Sequence, residues 1–185
     1  MAKKNSVAKS AKSNKPNTYH PLQVTLHWII AIMIISNVIL AGMAEEDGQI
    51  LGFPVINVHM VMGITILLLM LVRLVTRFRL PRPAPADAGN AFLNTVGELT
   101  HWALYLLATI MPLTGIMLAS LTDDLSNLIG PASKSLANSL GWLGEFHGLV
   151  WALLLLILFL HIGAALFHQF IKKDNLFSRM WYARK

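Results

Sequence analysis

The sequence predicts an all-α fold, a transmembrane bundle of four helices, from its composition and its long apolar runs. Of the 185 residues, 55% are hydrophobic and 13% are charged, about half the charge of a soluble domain. Four apolar runs reach the roughly 20 residues that a helix needs to cross a bilayer; they are residues 22–43, 55–77, 98–121 and 143–173. Since the chain is short, it has room for one bundle and for no second domain.

The first span follows a leader, residues 1–18, in which five lysines and the lack of an apolar core predict a disordered basic tail. A signal peptide has a similar layout, but the apolar run at 22–43 is longer than the hydrophobic region of such a peptide. We therefore expect a retained membrane helix. The bundle is assigned to residues 19–175, and residues 176–185 are predicted to form a second basic tail.

The other three spans are separated by polar segments of different character. Residues 44–54 contain acidic residues, glycine and proline, and residues 78–97 are rich in proline and arginine, so both are predicted to be loops. Within the third span, Pro112 and Gly115 predict a bend, and neighbouring helices can satisfy the carbonyl that the bend frees. Residues 122–142 are predicted to be a polar loop with room for a short surface helix.

The basic residues determine the predicted orientation. Five lysines precede the first span, four arginines lie between Arg73 and Arg82, and five basic residues end the chain, whereas Lys134 alone lies on the other side. Because cytoplasmic loops carry the excess of lysine and arginine, both termini are predicted to be cytoplasmic. The same distribution argues against nucleic-acid binding. The net charge is +6, but the basic residues flank apolar runs that are predicted to contact membrane lipid.

The fourth span carries three of the seven histidines, His147, His161 and His168. The first two are 14 residues apart, and the third follows 7 residues later. On a helix the first interval is almost four turns and about 21 Å of rise, so all three share one face. An ionisable side chain inside a membrane is costly and by default marks a functional site in the bundle interior. A single histidine also fits a hydrogen bond between helices, but two at this spacing fit two cofactors stacked across the membrane.

The predicted topology gives each histidine a depth. His59 and His147 lie about one turn inside the outer ends of spans two and four, whereas His20 precedes the first span and is assigned to the interface. The inner half holds the other four, which are His27, His101, His161 and His168. Two imidazoles from different helices at one depth are the axial ligands that a six-coordinate haem requires.

Other metal and transport functions fit the sequence less well. Zinc prefers four ligands, or three and a water, whereas the outer side offers two histidines. The chain has no cysteine, which excludes thiolate sites and disulfides. A proton-coupled carrier would place Asp or Glu beside its histidines, yet the interiors of the spans contain neither. Because two imidazoles leave no open position on iron, the predicted task is electron transfer.

Three segments resemble the bacterial cytochrome b561 family, whose members are small di-haem b cytochromes with four helices in the inner membrane. The segments are LQVTLHWII from Leu22, VHMVMGITILLLMLVRL from Val58 and FHGLVWALLLLILFLHIGAALFHQFIKKDN from Phe146. The likeness runs from Tyr19 onward and is greatest to the members that oxidise superoxide and reduce ubiquinone. It implies two b haems in the bacterial inner membrane, with axial ligands to the haem iron at His27, His59, His147 and His161.

Three further site residues are predicted once these ligands are assigned. Arg73 lies 14 residues past His59 at the depth of the inner haem, so we expect it to pair with a haem propionate; the alternative is that it snorkels to the interface. His101 and His168 remain near the inner interface, where a neutral histidine can hydrogen-bond a quinone carbonyl and move protons. His168 is the stronger candidate because it follows His161 by two turns on the same face.

The predicted function is electron exchange between the haems and ubiquinone or ubiquinol in the membrane, with superoxide as a donor that the resemblance implies. The outer loops argue against superoxide, because five carboxylates oppose one lysine there and a negative surface repels an anion. The alternative is an anchor subunit that passes electrons between quinone and a soluble redox protein, a role that the resemblance also covers. A third possibility, a haem-free scaffold or transporter, would differ from both in its reduced-minus-oxidised spectrum.

Overall fold

The computed structural model describes residues 16–44, 48–121 and 141–182; most of the predicted leader and of the 122–142 loop with its surface helix lies outside them. Within these ranges the α-helices are α1 (Pro21–Ala44), α2 (Val55–Arg79), α3 (Ala91–Leu121) and α4 (Leu143–Leu166). α4 continues into a π-helical turn, Phe167–Lys172, and a short 3-10 helix, Leu176–Met180, follows. All four α-helices are long and apolar enough to cross a membrane, which confirms the predicted transmembrane four-helix bundle.

A two-stranded ribbon closes the first connection. Strands β1 (Gln49–Ile50) and β2 (Phe53–Pro54) pair antiparallel around Leu51 and Gly52, both of which have positive φ. Positive φ at both central positions is typical of a type I′ hairpin turn, whose twist matches that of the strands. The backbone N–H of Val55 donates back into this connection at 3.0 Å, so α2 begins directly at the ribbon.

α3 begins earlier than the sequence predicted, which corrects the loop assigned to residues 78–97. Asn90 caps the helix, since its Oδ1 atom accepts the N–H of Phe92 at 2.8 Å, and asparagine is among the best residues for this position. Asn94 in the first turn accepts a backbone N–H of the preceding loop at 2.7 Å. The proline-rich composition concealed this cap. His101 therefore lies ten residues beyond the first residue of α3, about 15 Å along the helix, and not at the helix end.

Helix packing follows the order of the chain, with α1 on α2, α2 on α3 and α3 on α4. The backbones of α1 and α4 approach less closely, which makes their seam the most open of the four in the described bundle. All four helices contribute to the buried core, which consists of Leu26, Ile30, Ile66, Met70, Ala108 and Leu154. Large apolar side chains also face outward, for example Phe159 with 76% of its surface exposed, as expected of helices that contact lipid.

The bundle end that holds both described chain ends is called the termini face here, and the opposite end the loop face. At the termini face, the N–H of Tyr19 donates to the Arg179 carbonyl at 3.0 Å. The Trp28 indole N–H donates to a carbonyl of the 3-10 helix at 2.9 Å, and its ring packs on Phe177 with 5.7 Å between centroids. Residues 176–182, predicted as part of a tail, are therefore packed against α1, because their aromatic side chains cover it.

Candidate haem-binding site

The loop face contains His59 of α2 and His147 of α4, each about one turn inside its helix. The Nδ1 atom of His59 lies 3.2 Å from the carbonyl oxygen of Asn37 in α1. Because a carbonyl oxygen only accepts hydrogen bonds, Nδ1 carries the proton of the neutral ring. Nε2 then keeps its lone pair, and in this tautomer the ring can coordinate a metal ion through Nε2.

His147 is held in the same tautomer by α3. Its Nδ1 atom lies 2.8 Å from Oγ1 of Thr114, whose own proton is donated to the Met111 carbonyl at 2.8 Å. The hydroxyl oxygen therefore accepts the hydrogen bond from Nδ1–H. Gly115 makes room for the ring, because a Cβ atom there would lie 3.2 Å from Cε1 of His147. The ring thus packs against α3 without strain because residue 115 has no side chain.

Nearer the termini face, His27 of α1 meets His161 of α4 across the open seam. Their ring centroids are 6.3 Å apart, and their planes make an angle of 78°. Two imidazoles that coordinate one ion from opposite sides have ring centres roughly 6 Å apart, since each metal–nitrogen bond is about 2 Å. The separation of His27 and His161 therefore fits an iron with one imidazole on each side.

The apolar core separates these two levels. Leu154 is 5% exposed and lies seven residues from both His147 and His161 on α4. Ile66 of α2 is 4% exposed and lies seven residues after His59. The four paired histidines, in contrast, keep partly accessible side chains. Histidine pairs with partly accessible imidazoles thus lie on both sides of a buried apolar layer. This arrangement is suited to two cofactors at two depths.

Arg73 points into the site near the termini face. One guanidinium nitrogen donates to the Gln23 carbonyl at 3.0 Å, and another lies 3.3 Å from Nδ1 of His27. Since arginine only donates, Nδ1 of His27 accepts here and the ring proton lies on Nε2. Among the described residues the one ion pair joins His168 and Asp174, so Arg73 has no carboxylate partner there.

His101 and His168, the two remaining candidates, occupy different surroundings. His101 packs edge-on against His161 with 5.3 Å between ring centroids, so it lies at the level of the second pair. His168 lies in the π-helical turn, and its Nδ1 atom is 2.5 Å from Oδ2 of Asp174. Its side chain is 13% exposed. π-helical turns are rare and occur frequently at functional sites.

The donor set fits haem better than a bare metal ion. Nowhere in the described ranges are three histidine, aspartate or glutamate side chains arranged to hold a metal ion. A pair of imidazoles satisfies iron only when another group supplies the remaining ligands, as the macrocycle of haem does. The residues that would hold such haems are therefore the paired histidines.

Comparison with known proteins agrees with this site. A sequence model described as prokaryotic cytochrome b561 matches residues 18–183. The chain belongs to the prokaryotic cytochrome b561 family. It is 30% identical over 173 residues to a Yersinia pestis protein named probable superoxide oxidase CybB, with 88% of this chain and 94% of that protein covered. It is 28% identical over 172 residues to cytochrome b562 of Cereibacter sphaeroides, with 90% and 96% covered.

Family membership establishes the coarse function of this cytochrome. It is a multi-pass membrane cytochrome of the b type, and its role is electron transfer. When bound, b-type haem supplies reversible one-electron transfer at a potential that its axial ligands and surroundings adjust. The polypeptide supplies the binding, orientation and electrostatic surroundings of such a cofactor.

Proposed function

We propose that this cytochrome holds two b haems and exchanges electrons with the ubiquinone pool of the bacterial inner membrane. The observation that supports it is the presence of two histidine pairs at two depths of one bundle. In this proposal His59 and His147 are the axial ligands near the loop face, and His27 and His161 those near the termini face. Two imidazoles would fill both axial positions of each iron, so each site would carry electrons without an open position for substrate.

The tautomers of the first pair support this assignment. At both His59 and His147, Nδ1–H donates into the protein, and Nε2 is left with the lone pair that iron needs. A hydrogen bond to the other ring nitrogen is the usual partner of a metal-bound histidine, because it orients the ring and raises its basicity. Asn37 and Thr114 are the proposed partners.

Arg73 is proposed to bind a propionate of the haem near the termini face. Its guanidinium lies in the bundle with the Gln23 carbonyl, His27 and the Tyr105 side chain as its partners, and a buried cation is stabilised by an anion. A propionate offers such an acceptor in bidentate geometry. With Arg73 engaged there, His27 is free to carry its proton on Nδ1 and to present Nε2 as a ligand.

The quinone site is proposed at the termini face, with His168 as its main residue and His101 as the second candidate. Nδ1 of His168 is held by Asp174, whereas Nε2 makes no hydrogen bond to any residue that the structure describes. A ring held at Nδ1 presents Nε2 in a defined direction, and when both nitrogens are protonated Nε2–H can donate to a quinone carbonyl. His101 is enclosed by the histidines and arginines of the neighbouring helices, which favours His168.

Two electron donors are considered for the loop face, superoxide and a soluble redox protein. The name of the Yersinia pestis relative favours superoxide, whereas the five carboxylates and one lysine of the connections on this side favour a soluble redox protein with a basic surface. The excess of carboxylates should slow the association of superoxide, because a negative surface lowers the local concentration of an anion.

Rapid mixing of the haem-loaded cytochrome tests the proposed function. Ubiquinol should reduce the oxidised protein, and ubiquinone should reoxidise the reduced protein, with both reactions followed at the haem absorption bands. Superoxide should reduce the haems only slowly if the negative loop face governs encounter, and this rate should rise with ionic strength because salt screens the repulsion. Failure to exchange electrons with either quinol or quinone would contradict the proposal.

The proposed orientation places both termini in the cytoplasm. The expected result is an outside signal from reporter fusions at Asp47 and Ser133 and an inside signal from a fusion at Ala86, because nearly all basic residues lie on the side of Ala86. Alkaline phosphatase and green fluorescent protein fusions give opposite readouts and control for expression. An outside signal at Ala86 would reverse the side on which the quinone site opens.

A further inference from the structure

An open pocket of about 440 Å³ lies at the termini face, between the leader, the connection from α2 to α3, and the segment after α4. Its lining includes Pro83, Asp174, Ser178 and Arg179. Arg179 joins two walls of the pocket, since its guanidinium donates to the Ala84 carbonyl at 2.8 Å. The pocket is polar and lies at the bundle end, so it is suited to hold water.

Asp174 connects this pocket to His168. The carboxylate lines the pocket and is 33% exposed, whereas the imidazole to which it is bonded is only 13% exposed. The backbone makes this contact possible, because Lys173, which caps the π-helical turn, and Asn175, which precedes the 3-10 helix, both have positive φ. The chain therefore turns back and brings Oδ2 of Asp174 within 2.5 Å of Nδ1 of His168.

We propose that Asp174 and His168 form the path by which ubiquinone, reduced at the termini face, takes up its protons from water in this pocket. This inference rests on the proposed quinone site and adds the source and route of the protons. Asp174 does not touch the quinone in this scheme. It is a positioning and relay residue that acts through His168.

The proton and electron balance is that of quinone reduction. Ubiquinone gains two electrons, delivered by the cytochrome, and two protons, one on each carbonyl oxygen. For each proton, the ring of His168, protonated on both nitrogens, releases the Nε2 proton to a quinone oxygen and becomes neutral. The carboxylate of Asp174 takes up one proton from pocket water, and the ring turns over so that its bare nitrogen accepts that proton from Asp174 and then turns back. The pair is unchanged after each transfer, so two transfers convert the quinone to the quinol. Quinol oxidation runs the same path in reverse.

The charges around Asp174 suit this role. Hydrogen bonding from His168 holds the pKa of Asp174 below its ordinary value, with smaller contributions from the Leu176 N–H and from Lys172, against a desolvation that raises it. Asp174 is therefore ionised at neutral pH and holds an added proton only in passing. The ionised carboxylate also balances the positive charge that the ring carries when both of its nitrogens are protonated.

The test uses the complete, haem-loaded cytochrome and an Asp174→Asn variant, with Asp174→Glu as the conservative variant. Asp87→Asn is the matched control, because Asp87 is another carboxylate of the termini face whose pKa is lowered by hydrogen bonds, in its case from Asn94 and Gly89. We expect Asp174→Asn to slow quinone reduction at least tenfold at unchanged haem content. The rate should return in Asp174→Glu and stay normal in Asp87→Asn.

Two further readouts separate proton transfer from a structural effect. Formate, a small carboxylic acid that the pocket can admit, should restore much of the rate of Asp174→Asn, and the deuterium isotope effect on that variant should exceed that of the wild type. In 15N NMR spectra, the resonances of His168 should shift in Asp174→Asn, because Nδ1 loses an anionic partner.

The outcomes distinguish the inference from the function on which it rests. If the wild-type cytochrome does not exchange electrons with ubiquinol, the quinone function itself is contradicted. If the wild type exchanges electrons and Asp174→Asn is equally fast, or slow without rescue by formate, the proton path is overturned while the quinone function stands.

Discussion

The His59→Ala variant is expected to bind one haem per chain, whereas the wild type is expected to bind two. The substitution removes one of the two imidazoles proposed as axial ligands near the loop face, and the single remaining imidazole would leave the iron one ligand short. The second pair lies beyond the buried layer of Leu154 and Ile66, so the haem between His27 and His161 should stay bound. The measurement is the haem-to-protein ratio by pyridine haemochrome assay, with a redox titration that should show one transition.

Two variants make this result interpretable. His20→Ala is the matched control, because His20 precedes α1 and its Nδ1 contacts only the local backbone at 3.2 Å; it should keep two haems. His59→Gly should regain the second haem when imidazole is added, which a general loss of structure would not allow. Two low-spin haems in His59→Ala would contradict the pairing of His59 with His147, and loss of both would contradict the independence of the two levels.

The His168→Ala variant is expected to keep both haems, with normal spectra, and to exchange electrons with ubiquinone at least tenfold more slowly. The side chain is proposed to hydrogen-bond a quinone carbonyl and to transfer protons, whereas the proposed haem ligands are other histidines. A contribution of one positioned acid–base group to a rate is typically 10²–10⁴-fold, so tenfold is a lower bound. Stopped-flow mixing with ubiquinol and with ubiquinone measures the effect.

The matched comparison for this variant is His101→Ala. Because the ring of His101 packs against His161 at 5.3 Å, its removal is expected to shift the spectrum or potential of the neighbouring haem more than the quinone rate. Unchanged quinone kinetics in His168→Ala would remove that residue from the mechanism. A slow quinone reaction in His101→Ala with a normal one in His168→Ala would exchange the two assignments.

Hydropathy and charge along the chain were sufficient for the architecture. Each span can be recognised separately, because a helix in lipid satisfies its own backbone hydrogen bonds and needs an apolar surface of sufficient length. Regular helix geometry also placed His147 and His161 on one face without knowledge of any partner. The start of α3 could not be predicted from the sequence, because its cap at Asn90 lies in a segment whose composition is typical of a loop.

Contacts between helices could not be predicted in the same way, because they depend on how each helix is rotated and shifted along its axis. Only the tertiary structure shows that the Thr114 hydroxyl donates to a backbone carbonyl and accepts from Nδ1 of His147. It also shows that the Asn37 carbonyl accepts from Nδ1 of His59. No local pattern marks either residue as a partner of a histidine. Gly115 was predicted to permit a bend, and the structure adds that it makes room for the ring of His147, because a Cβ atom there would lie 3.2 Å from Cε1.

The amino-acid sequence by itself determined that this protein crosses a membrane four times with histidines at two depths, because hydropathy and helical spacing are local properties of the chain. The tertiary structure decided which nitrogen of each loop-face histidine is free, that His101 lies beside His161, and that Asp174 reaches back to His168. These features depend on an early helix start and a π-helical turn. A change of one residue in helix phase or length would rotate each side chain away from its partner.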